Sequence, residues 1–202
     1  VDRSYEDFHK FMEKHPEKHV VEIDTVEDKK GGKSLLTLFF RNSSLMLAFL
    51  LDACTQDAVK QVFDRLYENL GVETFKATFP VILTDNGSEF KAPELLERDA
   101  QGTMRTRLFY CDPMASHQKA HIEKNHEYIR YVLPKGKSFE HLNEENVTLM
   151  INHINSTARA SLNDTTPFKL AQLLHDDALI ASCALQLIPA DDVHLKPALL
   201  KA

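Results

Sequence analysis

Three carboxylates carry the chemical argument. Asp24 lies inside VVEIDTVE, Asp85 opens the tripeptide Asp85-Asn86-Gly87, and Glu123 lies within HQKAHIEKNHEYIR. Aspartate is depleted in strands, so one in the middle of a strand pattern calls for a reason. Converging acids repel, which raises the pKa of at least one of them unless cations neutralise the cluster. Hard divalent ions with oxygen ligands, Mg²⁺ or Mn²⁺, suit such a cluster and keep open positions for water and phosphate oxygens. Taken singly, each acid has an ordinary explanation. Asp85-Asn86-Gly87 is a good tight turn, Asp24 could close a strand, and Glu123 could be a surface ion-pair partner.

The surrounding pattern says what must position them. Val20 to Glu27 reads as a strand with Val21 and Ile23 on the face opposite Asp24. KKGGK, Lys29 to Lys33, reads as a hairpin turn. Ser34 to Phe40 and Leu45 to Leu51, joined through RNSS, complete an antiparallel meander. Thr55 to Leu70 carries the helical stripe Val59, Val62, Phe63, Leu66 and Leu70, with Gly71 as its stop. Phe79 to Thr84 is a continuous apolar run, the pattern of a strand buried on both faces, and it ends at Asp85. A short helix over Ala92 to Arg98 and a short strand at Leu108, Phe109 and Tyr110 follow, and Asp112-Pro113 breaks that strand.

The next helix is predicted to start with Ser116 as N-cap and to run until Pro134 and Gly136. Ile122, Asn125, Ile129, Val132 and Leu133 share its inward face, and Lys119, Glu123, His126, Glu127 and Arg130 a neighbouring one. Further helices are predicted over Ser4 to His15, Asn143 to Ala158 and Pro167 to Leu174. The order predicts an α/β fold, a mixed five-stranded sheet with helices on both faces. In such a sheet the active cleft lies outside the carboxyl ends of the strands, where the three acids can meet.

Composition sets bounds. The 202 residues suit one globular domain with appended ends. We divide it into an N-terminal helix and linker (1–18), a core (19–175) and an extension (176–202) that docks on this subunit or another. The chain holds no apolar run of membrane-spanning length and no signal peptide, which predicts a cytoplasmic location. Cys54, Cys111 and Cys183 form no CxxC pattern and are expected as buried thiols. His117, His121 and Cys111 lack a fourth zinc ligand, and KKGGKS lacks the spacing of a phosphate-cradling loop. A net charge of −6 is awkward for a nucleic-acid partner. Yet Thr103 to Lys137 holds seven Lys/Arg against three Asp/Glu.

VEIDTV, LTDNGSEF and FYCDPMASHQKAHIEKNHEYIR, with LPKG following, resemble the catalytic core of DDE transposases and retroviral integrases, which have a ribonuclease-H-like fold. The closer likeness is to bacterial insertion-sequence transposases of the IS-thirty type. There a CDP turn, a Gln-Lys pair, the Glu helix and a PKG close follow one another. The resemblance covers Tyr5 to Leu173, and its combination of motifs is specific where each alone is weak. Two departures stand out. The step of 38 positions from Asp85 to Glu123 is slightly long, and Ala120 stands where glycine is expected after Gln118-Lys119.

The resemblance implies Asp24, Asp85 and Glu123 as catalytic metal ligands for Mg²⁺ or Mn²⁺, with two ions about 3.5–4 Å apart serving phosphoryl transfer. It implies DNA as partner, both element ends and target, and a homo-oligomer. It also implies an N-terminal DNA-recognition region that this chain does not include, so the molecule is expected as a catalytic core acting at the nucleoid. Lys119, Lys124, Arg130, Lys135 and Lys137 are candidates for phosphate contacts, and Asn86 and Gln118 for orienting DNA. A ribonuclease-H-like nuclease or junction resolvase, and a DNA-binding or assembly module that has lost the reaction, stay open as alternatives. If the acids simply repel, Asp85→Asn should raise the stability of the metal-free protein.

Overall fold

The computed structural model describes residues 2–201. Helix α1 (Tyr5–Lys14) opens with a reciprocal cap, in which Ser4 accepts from the Asp7 amide and Asp7 accepts from the Ser4 amide. Strands β1 (Val20–Glu27), β2 (Ser34–Phe40) and β3 (Met46–Leu51) form the expected antiparallel meander. Helix α2 (Gln56–Leu70) is capped by Thr55 and ends at Gly71, whose φ of 76° favours glycine. The chain then enters α3 (Val72–Thr78), which the sequence pattern does not announce. Seven residues with only Phe75 and Thr78 buried are too few to show a period. Phe79 therefore ends a helix, and β4 (Val81–Thr84) starts two residues later than the apolar run suggests.

After α4 (Pro93–Glu97) and β5 (Arg107–Tyr110) come α5 (Ala120–Val132), α6 (Glu144–Asn155), α7 (Pro167–Leu174) and α8 (Asp177–Ser182). The sheet order is β3-β2-β1-β4-β5, with β1–β4 and β4–β5 parallel. β1 is central. On one face Val21, Ile23, Ile82 and Leu108 join Phe63, Phe75 and Phe79 in the main core. On the other, Val20, Val81, Leu83 and Phe109 meet α1, whose Phe8 and Phe11 rings lie 5.8 and 5.3 Å from that of Phe109. Both faces of the central strands are covered, which is why their sequences read as unbroken apolar runs.

Two expectations are corrected. Ser116 caps no helix, since Ser116–Lys119 is a 3₁₀ turn and α5 begins only at Ala120. Gln118 explains this: its Oε1 accepts from the Asp112 amide at 2.7 Å and its Nε2 donates to Asp112 Oδ2 at 2.8 Å. Those bonds close the segment into a tight turn, and the cap of α5 comes from elsewhere in the fold. The thiols also differ from expectation, because only Cys111 is buried while Cys54 and Cys183 are half-buried. Burial still pushes Cys54 and Cys111 up to about 12 and Cys183 up to about 11, which leaves them protonated at neutral pH.

The C-terminal extension docks on its own chain. Leu179 and Leu185 are buried, and Leu195, Leu199 and Leu200 pack against the main core. Asn152 holds the extension by accepting from the Gln186 amide at 3.0 Å and donating to Ala184 O at 3.2 Å. Among the described residues no helix is long and apolar enough to cross a membrane.

Candidate active site

The parallel register of β1 and β4 pairs Val20 with Val81, Val21 with Ile82 and Glu22 with Leu83. Carried two residues further, it brings Asp24 beside Asp85, which lies one residue past the end of β4. Asp24 Oδ1 accepts from the Thr25 amide at 2.8 Å, and its carbonyl accepts from Thr37 Oγ1 at 3.1 Å. Asp85 Oδ1 accepts from the Gly87 amide at 3.0 Å, the turn its tripeptide promised. The other oxygens face a shared cation. Lys119 Nζ lies 3.1 Å from Asp24 Oδ2 and 3.0 Å from Asp85 Oδ2, and the lysine side chain is 3% exposed.

Burial is the largest influence on Asp24 and raises its pKa above the ordinary carboxylate range; the Lys119 charge opposes this and the Asp85 charge adds to it. For Lys119, burial alone would lower the pKa, but the two aspartates outweigh it and hold the ammonium above its ordinary value. The pair thus brackets one buried positive charge, with Asp24 mostly buried and Asp85 half-exposed.

Glu22 is a site residue that the sequence reading missed. It sits two positions before Asp24 on the same face of β1 and is fully buried. Its Oε1 accepts from Arg41 Nε at 2.6 Å and lies 3.0 Å from His121 Nδ1, while Oε2 accepts from the Ile122 amide at 2.8 Å. A strand carboxylate therefore supplies the N-terminal cap of α5, favoured there by the helix dipole. Arg41 extends the network by donating to Gln118 O at 3.1 Å. The available signal was alternation, since VVEID places Glu22 and Asp24 together, away from Val21 and Ile23.

Glu89 is a second unforeseen carboxylate. It is buried, and its Oε1 accepts from Thr25 Oγ1 at 2.6 Å, beside Asp24 in sequence. A Cβ at Gly87 would meet the Glu89 carboxylate at 2.7–2.9 Å, so a larger residue there would have to shift that side chain.

Glu123 stands apart from the aspartate pair. It is half-buried in the first turn of α5 and pairs with no other described residue. It lines an open cavity of about 620 Å³ with Thr25 and Glu27 from β1 and His126, Glu127 and Arg130 from α5. His126 Nε2 lies 2.8 Å from Thr37 Oγ1. Burial, then the Lys119 and Arg130 charges, brings this histidine down to about 4. Among the described residues no three of His, Cys, Asp and Glu come together closely enough to hold a metal.

Comparison with solved structures identifies the architecture. A chain of the simian T-cell lymphotropic virus intasome, solved in complex with PP2A regulatory subunit B56 gamma, matches over 76% of this chain and 54% of its own, with a TM-score of 0.57 and 18% identity. The catalytic core domain of BIV integrase matches over 77% of this chain and 95% of its own, with a TM-score of 0.51 and 17% identity. The fold is the ribonuclease-H-like fold of a retroviral integrase core. In sequence, this integrase-like chain is 28% identical over 144 residues to "Putative integrase ORF3" of Spiroplasma virus SpV1-R8A2 B, covering 71% of this chain and 42% of that protein. It is 24% identical over 160 residues to the transposase for insertion sequence element IS4351 of Bacteroides fragilis, covering 79% and 46%. The chain thus spans less than half the length of these relatives. No protein-family model matches it.

Within the integrase-like fold, Asp24 and Asp85 offer the adjacent hard oxygen donors that a divalent ion takes. A buried cation already favoured between them supports that fit, while Glu123 lies outside the pair. The candidate DNA contacts divide. Lys124, Lys135 and Lys137 are exposed, and so is Asn86, whose Nδ2 is 3.5 Å from Cys111 O. Arg130 is half-buried and donates to Glu27 O at 3.1 Å. Gln118 and Lys119 point inward, to Asp112 and to the aspartates.

Proposed function

We propose that this chain is the catalytic core of a DNA transposase or integrase, which cuts DNA strands and joins 3′ ends to a second duplex. The observation that carries the proposal is the Asp24–Asp85 pair, with Asp24 inside β1 and Asp85 just past the carboxyl end of the parallel strand β4, set side by side around one buried positive charge. The integrase-like fold and the named relatives support the same reading. Asp24 and Asp85 would hold Mg²⁺ or Mn²⁺, with Glu123 as the third carboxylate. Such ions lower the pKa of a bound nucleophile and neutralise the charge that grows on the leaving oxygen.

The chain's own residues would orient the substrate. Lys124, Lys135 and Lys137, exposed along and beyond α5, would take backbone phosphates. Asn86, at the turn that carries Asp85, would position the strand near the scissile phosphate. We further propose a homo-oligomeric assembly on DNA, at the nucleoid, with sequence recognition residing in another region of the full protein and residues 19–175 forming the core.

The test is Mn²⁺-dependent nicking of plasmid DNA, and joining of a labelled 3′-hydroxyl duplex to that plasmid. Wild type is expected to do both, and Asp24→Asn neither. Nicking without joining under all conditions would favour a nuclease. Full activity in Asp24→Asn would remove the proposal.

A further inference from the structure

Lys119 occupies an unusual place for a helix-start lysine. Its side chain is 3% exposed, and its charge is met by Asp24 and Asp85 at 3.1 and 3.0 Å. It is the last residue of the 3₁₀ turn and the N-cap position of α5, yet its side chain makes no capping bond. The contact with the aspartates is therefore made for its own sake, and it uses the Oδ2 atoms that a metal ion would need. A divalent ion binds oxygen at about 2.0–2.6 Å, so an ion bridging the same two Oδ2 atoms would take the place that the ammonium fills between them.

We propose that Lys119 is a resident counter-cation of the Asp24–Asp85 pair, displaced when a divalent ion loads and then paired with a DNA phosphate. The inference rests on the proposed DNA-processing function. The backbone of the turn is held by Arg41 on Gln118 O and by the Gln118–Asp112 bonds, so the side chain swings while the turn stays. A lysine carries its charge on a flexible four-carbon stem and suits such a move. Once displaced, the ammonium must find another anion or become solvated, and a phosphate backbone over the site supplies the anion. DNA thus relieves the competition against metal, and metal frees a group for DNA. The coupling must be equal in both directions.

The test measures Mn²⁺ affinity by calorimetry for wild type and Lys119→Met, with and without a short duplex. Without DNA, Lys119→Met should bind Mn²⁺ about tenfold more tightly than wild type, within the 5- to 150-fold range common for coupled sites. Adding DNA should strengthen Mn²⁺ binding in wild type by clearly more than in the variant. Equal Mn²⁺ affinities, or weaker binding in Lys119→Met, would overturn the displacement while leaving the metal site intact. No Mn²⁺ binding by either protein would overturn the proposed function together with the displacement. Should Lys119→Met fail to fold, Lys119→Gln keeps a polar group of similar length, and the same affinities decide.

Discussion

Replacing Glu22 with alanine is the severest single test of how α5 is held. Glu22 is fully buried, and its carboxylate meets Arg41 at 2.6 Å, His121 at 3.0 Å and the Ile122 amide at 2.8 Å. Removing one partner of a buried ion pair leaves the other charge uncompensated and costs about 3–5 kcal/mol. Here Arg41 stays 25% exposed and keeps Gln118 O as an acceptor, which points to the lower end, about 3 kcal/mol. Glu22→Gln keeps the shape and an acceptor for the Ile122 amide, so it loses mainly the charge, about 1.5–3 kcal/mol. Urea unfolding with an unchanged slope reads these differences directly. Hydrogen exchange at the Ile122 amide should quicken in the alanine variant more than in the glutamine variant. A loss below about 0.5 kcal/mol for Glu22→Ala, a size typical of an exposed pair, would refute the description of Glu22 as the cap of this helix.

Three further outcomes follow from the same geometry. Burial, and for His175 the neighbouring His19, brings His126 and His175 down to about 4. Their stabilising neutral state is complete above the unfolded value near 6.5 and is lost as pH falls from there through 4, by at most roughly 3 kcal/mol each; urea midpoints between pH 7 and 4 should fall, less steeply in His175→Asn. Gly87→Ala shifts the Glu89 carboxylate off Thr25 and should cost about 0.5–1.5 kcal/mol in the same assay, the loss of one hydrogen bond; no loss would mean that Glu89 moves without giving up that bond. Asp85→Asn takes one of two carboxylates from a buried ammonium and should lower the stability of the metal-free protein by about 1–2 kcal/mol, between the values for exposed and buried pairs because Asp85 is half-exposed. A higher melting point for that variant would restore simple repulsion between the acids.

The sheet was legible because its strands are buried on both faces or alternate cleanly, and because their order restricts the topology. The neighbourhood of Asp24 and Asp85 follows from that order, since the parallel register of β1 and β4 sets the end of β4 beside the middle of β1. What escaped depends on partners far along the chain. Glu22 is defined by Arg41, His121 and Ile122, and Lys119 by Asp24 and Asp85, and no local pattern records such pairings. On a helical wheel Lys119 shares a polar face with Glu123 and reads as exposed; the 3₁₀ turn before α5 rotates it off that face and into the sheet. Ser116 was misread for the same reason, because the cap it was expected to provide comes from β1.

Lys119 also changes what the charges mean. Three acids without a partner would repel, and neutralising one should then stabilise the protein. With an ammonium between two of them, the same substitution removes an attraction, so the expected sign reverses. The basic stretch from Thr103 to Lys137 needs the same correction. Arg105 is buried and bonds to the carbonyls of Leu95 and Leu96 and to Asp64 at 2.8 Å. Lys119 serves the aspartates, Arg107 is bound to Asp2 O and Arg130 to Glu27 O. The positive charge that remains free to meet a phosphate backbone is concentrated at Lys124, Lys135 and Lys137, along and just beyond the helix that carries Glu123. A footprint of that size on an acidic molecule gives weak binding that fades steeply with salt.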